Sequence, residues 1–204
     1  DNIDTLDGRP IQKSSASTIK TNHKLVYQEV KQSQLDEYIK KHNSWLTHSW
    51  KVYGESMQKN AVRQFYLEQQ VADYISNAKE DYAIVVSLIA DIYPYVPIST
   101  QEIDTRDDII YTSGLMNAGG VTNGYYLGNK QSVAKIMSTI NHFDMPDKLS
   151  FTKNIERSSY EEIISETLKK NKLESRTTDM IFCKLRNDQT CAYVRFMTRS
   201  EAYR

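Results

Sequence analysis

The residues most capable of chemistry in this chain are Cys183 and Cys191, its only cysteines, eight positions apart in CKLRNDQTC. Two thiols at that spacing can close a disulfide, help hold a metal, or act as a reactive pair. A zinc site needs four ligands, and neither a second Cys pair nor a nearby histidine supplies them. The disulfide is the expected state, with two reduced, facing thiols as the alternative. His42 and His48 lie six apart, a spacing that does not share one helix face, so they form no metal pair. His142-Phe143-Asp144 could supply an acid and a base, and His142 could activate Cys183, but no third group orients either arrangement. Catalytic residues are therefore assigned to none, metal ligands to none and cofactors to none.

The elements that must position the cysteines read as a β-hairpin. Thr178-Asp-Met-Ile-Phe-Cys-Lys-Leu and Thr190-Cys-Ala-Tyr-Val-Arg-Phe-Met are apolar, aromatic and β-branched, with the turn formers Asn187-Asp188 between them. A three-residue turn over Arg186–Asp188 sets Cys183 opposite Cys191, Ile181 opposite Tyr193 and Asp179 opposite Arg195. The other face then collects Met180, Phe182, Ala192, Val194 and Phe196, which is the apolar face a core selects. Opposed residues of that kind lie within disulfide reach, and so short a loop stabilises by roughly 2–3 kcal/mol when closed. A bridged hairpin places the domain in an oxidising compartment, the periplasm or the extracellular space.

Upstream, the pattern is helical. Residues 1–16, with Gly8, Pro10 and Ser14-Ser-Ala-Ser, read as an extended arm. Ile19, Val26, Val30, Leu35, Tyr38, Ile39, Trp45, Leu46 and Trp50 recur at threes and fours. Tyr53-Gly54 interrupts, and a second helix is expected from about Ser56 to Ile92. Its stripe is Val62, Phe65, Tyr66, Val71, Tyr74, Ile75, Ala78, Tyr82, Val85, Val86 and Ile89, stopped by Pro94 and Pro97. Glu68, Asp73, Glu80 and Asp81 fall among its polar positions and are expected to be solvated. Beyond residue 95, Ile109–Thr112 reads as a short strand and GLMNAGGVTNGYYLG, residues 114–128, as turns holding five of the seven glycines. That segment has neither GxGxxG nor a phosphate-loop Lys-Ser/Thr. Helices are expected at about Ser132–Phe143 and from Ser158 or Ser159, where Glu161 or Glu162 completes a capping box. The expected fold is α+β, with an arm at 1–16, a helical half at 17–95, and a mixed half at 96–204 ending in the hairpin; the two halves are also compatible with one composite domain.

Composition narrows the function. Lys and Arg number 26 and so do Asp and Glu, giving no net charge. That balance argues against nucleic acid as partner. No apolar run reaches the roughly 18–20 residues that span a bilayer. The chain opens at Asp1, as expected for a mature protein or for the soluble part of a longer one anchored by flanking segments. It has no Asn-x-Ser/Thr sequon. Fourteen tyrosines, several on the helical stripes, suit surfaces half-buried against a partner, and two long helices with little cover point to a homodimer. The candidate ligand or partner surface comprises Trp45, Trp50 and Tyr53, where aromatics crowd, and Tyr125 and Tyr126, placed to stack on a ligand beside the glycines.

Long N-terminal helices, a mixed half and one disulfide together resemble the periplasmic sensor region of a bacterial two-component histidine kinase. The resemblance implies a dimeric binding module that passes a signal through the membrane by a change in subunit packing, with no chemistry of its own. The alternating strands of the common PAS-like sensor sheet are not evident. Phe65-Tyr-Leu-Glu-Gln-Gln-Val-Ala-Asp-Tyr, Lys79-Glu-Asp-Tyr82 and Ala192-Tyr-Val-Arg-Phe-Met-Thr also look slightly like the periplasmic domain of inner-membrane assembly factors of type IV secretion. That family needs a long curved sheet between those segments, where this chain reads mainly as helix and glycine loop. A secreted effector or hydrolase is the third class, and it requires a convergent acid, base or nucleophile.

Overall fold

The computed structural model describes residues 30–41, 55–89, 92–94, 103–113, 121, 124–144, 160–178, 182–185 and 191–192. The fold is α+β. In chain order the elements are α1 (Gln32–Lys41), α2 (Glu55–Asn77), β1 (Val85–Leu88), β2 (Ile92–Pro94), β3 (Ile109–Ser113), β4 (Tyr125–Gly128), α3 (Lys130–Met137), a 3-10 turn (Thr139–Asp144), α4 (Tyr160–Asn171), β5 (Glu174–Thr178), β6 (Phe182–Leu185) and β7 (Cys191–Ala192).

β1, β4, β3 and β5 form a sheet in that spatial order. β1 and β3 both run antiparallel to β4, and β5 runs parallel to β3. The two central strands are buried along their whole length, as expected where both sheet faces are covered. On one face Ile110 and Tyr126 join Val62 and Phe65 of α2, Val133 and Ile136 of α3, and Ile163 and Ile164 of α4 in a single cluster. On the other, Ile109, Tyr111, Tyr125 and Leu127 make a second cluster edged by Ile84 and Ile103. The first cluster draws on residues from both sides of position 95. α1 rests on α2 through the Tyr38 and Tyr66 rings, whose centroids lie 4.6 Å apart.

Local chemistry explains where elements start and stop. Asn129 caps α3: its side chain accepts from the Ser132 backbone N–H at 2.8 Å, which satisfies one of the donors a helix leaves open. α4 begins with Glu161 and Glu162 and ends with Lys169 and Lys170, matching the helix dipole at both ends. Its C-terminal residue Lys172 is left-handed, with φ 54, and Leu173 N donates to Leu168 O at 2.9 Å. That is a Schellman closure, normally given to glycine.

Several expectations need correction. The second helix stops at Asn77 rather than Ile92. Val85 and Val86 lie in β1, and Ile92–Pro94 is a strand that pairs with β6. Polar residues 79–81 break the helix, and the β-branched run after them pairs with β4. The expected first helix is helical over Gln32–Lys41, and the rest of it lies outside the described residues. Residues 125–128 of the glycine-rich segment are a central strand, not turns. Glu68 is not solvated; it is 6% exposed. The hairpin pairs β6 with β7, but Leu185, not Cys183, sits opposite Cys191, and Lys184 sits opposite Ala192. The cysteines are therefore offset by two positions in the ladder. β6 is also held by β2, which sets Tyr93 opposite Cys183; the expected turn at Arg186–Asp188 lies outside the described residues.

Candidate functional site

A concave site gathers where α2 ends and α3 begins. Ser76 comes from the last turn of α2, Asp81 and Tyr82 from the connection to β1, Asp107 from the turn before β3, and Asn129, Lys130, Gln131 and Ala134 from the start of α3. They line an open cleft of about 390 Å³. Asn129 fixes its floor. Besides capping α3, its amide donates to Thr105 O at 2.8 Å and to Asp107 Oδ1, tying the β4–α3 junction to the turn before β3. Lys130 Nζ donates to Ala78 O at 2.6 Å and Glu80 O at 3.4 Å. Its ammonium thus neutralises carbonyls just past the end of α2, where the helix dipole is negative. The Asp81 carboxylate, the Tyr82 hydroxyl and the Gln131 amide also line the cleft. Burial, then Glu80 and Tyr74, raise the Tyr82 phenol above its ordinary range, so it acts as a neutral hydrogen-bonding group.

A second polar group lies beside β3. Desolvation of Asp104 is outweighed by hydrogen bonds from the Arg106 backbone and guanidinium and from Arg176, which hold its carboxyl below the usual range. Arg176 Nη1 lies 3.2 Å from Asp104 Oδ2. Hydrogen bonds to Glu174 and Tyr111 push the Arg176 guanidinium further up, and the Tyr111 hydroxyl accepts from Asp104 N at 2.9 Å. These groups are consumed by one another and serve to pin the 103–108 segment to β5.

The residues singled out in sequence do not converge here. Tyr125 and Tyr126 are core, 1% and 2% exposed, on opposite faces of β4, and present no surface to a ligand or partner. Trp45, Trp50 and Tyr53 lie outside the described residues. Cys183 and Cys191 lie on β6 and β7. His142 is buried in the 3-10 turn, its Nε2 3.2 Å from Asn171 Nδ2. No group of three or more metal-ligating side chains occurs among the described residues. The cleft residues went unread because they come from three separated segments; the one signal available was Gly128-Asn129 directly before a helix, a capping pattern. The cleft is lined mainly by polar side chains.

α2 turns a different side outward. Leu67, Val71 and Tyr74 succeed one another at intervals of four and three, and each is more than 40% exposed. Ser76, in the last turn of the same helix, lines the cleft. No helix among the described residues is long and apolar enough to cross a membrane. No family profile, no known protein and no solved structure matches the chain.

Proposed function

We propose that this chain is an extracytoplasmic sensing domain, similar in role to the periplasmic region of a two-component histidine kinase, that works as a homodimer and has no chemistry of its own. The observation that carries this reading is the exposed Leu67–Val71–Tyr74 stripe on α2, spaced for a helix–helix seam. Ser76, in the last turn of the same helix, lines the cleft, so a ligand pressing on it also pushes on the end of the seam helix. A shift of packed helices past each other is a recognised way to move a signal. The anchoring membrane segments belong to flanking sequence, and the protein lies in the periplasm or outside the cell.

Sedimentation of the wild type against Val71→Asp is the direct test. A dimer that the variant dissociates while keeping its helical circular dichroism supports the reading; a wild-type monomer at tens of micromolar overturns it. The compartment is tested through the cysteines. Protein from its native host that takes no thiol label before reduction supports a bridged, oxidised form. Two labels remove the support for an oxidising compartment.

A periplasmic assembly component of type IV secretion is the second reading. The observation that favours it is the four-stranded sheet between residues 85 and 178, which lies in the interval where that family carries its sheet. A full-length sequence with one membrane helix before this region and none after it favours assembly; helices on both sides favour sensing.

A further inference from the structure

The two edges of the four-stranded sheet differ in kind. β5 carries Glu174, Ser175, Arg176, Thr177 and Thr178, and its charges and hydroxyls guard it against adding another strand. β1 has no such guard. From Tyr82 through Ala90 the sequence has no charged residue. Val86 is 44% exposed and Leu88 50%. They pair across the ladder with Leu127 and Tyr125, so they extend the second buried cluster outward to the sheet edge.

The hydrogen-bond phase of β1 is fixed by Ile89, whose N–H donates to Gly124 O at 3.3 Å. In an antiparallel pair every second residue bonds inward. Ile89, Ser87 and Val85 therefore bond toward β4, and the N–H and C=O groups of Val86 and Leu88 point away from it. No strand among the described residues takes them up. The same two residues thus offer unpaired backbone and exposed apolar side chains, which is the equipment for strand addition.

We propose that this edge binds β1 of a second copy, antiparallel about a two-fold axis through Ser87. That axis sets Val86 against Leu88 of the other copy, and Leu88 against its Val86. Outward-pointing backbone meets outward-pointing backbone, and no charge faces a like charge because the strand has none. The strand is its own complement, whereas β5, with Glu174 and Arg176, would desolvate charges if it docked on β1. Charge matching therefore selects β1 over the other edge. The contact is separate from the α2 seam, and the two together would join dimers into larger assemblies.

The test uses the full chain in a Val71→Asp background, which removes the α2 seam, with Val86→Lys and Leu88→Pro added singly. Leu88→Pro deletes a donor that points away from β4, so it leaves the ladder within the protein intact. Thermal melts confirm that each variant folds. Concentration-dependent self-association of the parent, weakened about tenfold by Val86→Lys because symmetry removes the pair twice, and abolished by Leu88→Pro, is the expected result. Amide exchange gives the register: Val86 and Leu88 slow as concentration rises, and Ser87, already bonded to β4, does not change. A parent that stays monomeric at millimolar concentration, association that survives Leu88→Pro, or protection that falls on Ser87 instead overturns the proposal. None of these outcomes bears on the α2 seam, which wild type against Val71→Asp reports alone.

Discussion

Tyr126 buries a hydroxyl that the protein does not use. The residue is 2% exposed, and its OH has no hydrogen-bond partner among the described residues. Burial first, then the nearby charges of Glu68 and Glu161, raise its phenol well above the ordinary range, so it stays neutral and keeps its proton. An unsatisfied buried hydroxyl costs about 1–3 kcal/mol. Tyr126→Phe removes that cost and leaves a gap of one oxygen, worth about 0.5 kcal/mol at most by cavity arithmetic. The expected net gain is about 1 kcal/mol, or a Tm rise of about 2–4 °C for a chain of this size. Tyr111→Phe is the matched control. There the hydroxyl accepts from Asp104 N, and losing it should cost about 1 kcal/mol. Calorimetry of both variants at neutral pH decides. If Tyr126→Phe lowers Tm as much as Tyr111→Phe does, the hydroxyl holds a partner and the reasoning fails.

Three further outcomes are expected. At Gly128, an added Cβ would meet Ile109 O at 3.1 Å and Ile110 Cδ1 at 3.2 Å; Gly128→Ala should cost about 1–3 kcal/mol in urea unfolding. Lys172 holds a left-handed backbone at φ 54, so Lys172→Gly should stabilise by about 0.5–1 kcal/mol, read as a higher urea midpoint with unchanged slope. The Asp104 carboxyl is held low in the folded protein, so its contribution is complete above the ordinary carboxylate range and disappears as pH falls through it toward the folded value. Asp104→Asn should therefore lower the urea midpoint at pH 7 but leave it close to wild type near pH 2.

The sequence was readable where one period dominated. Val62, Phe65 and Ile75 recur at helical spacing, and all are buried on α2. The same arithmetic misled from Val85 onward, because Val85, Val86 and Ile89 also fit a helical stripe and short apolar runs do not discriminate strand from helix. Tyr125 and Tyr126 were hidden by buried faces on both sides of β4, which erase alternation, and by glycines that mimic a turn. Glu174-Ser-Arg-Thr-Thr has no apolar pattern at all; it is a strand only because β3 offers it a ladder. Glu68 looked like one more polar residue on an exposed face, and only the folded packing shows that it is buried. The cleft was invisible for a related reason: Asp81, Asp107 and Asn129 are remote in sequence, and hydrogen bonds through Asn129 bring two of their segments together.

β3 pairs with β5 from Ile109↔Glu174 to Ser113↔Thr178, across the whole of β4, α3 and α4. During synthesis this has an ordering effect. β1, β3 and β4 can assemble once residue 128 has emerged, but one flank of β3, a strand buried along its full length in the finished protein, then waits for Glu174 to leave the ribosome. For that interval the nascent chain displays a bare strand margin that the finished protein buries, and its natural cover is the least hydrophobic strand in the sheet. A stalled or truncated chain ending before Glu174 would keep that margin permanently, and clearance by chaperones or proteases, rather than loss of a binding site, would be its first phenotype.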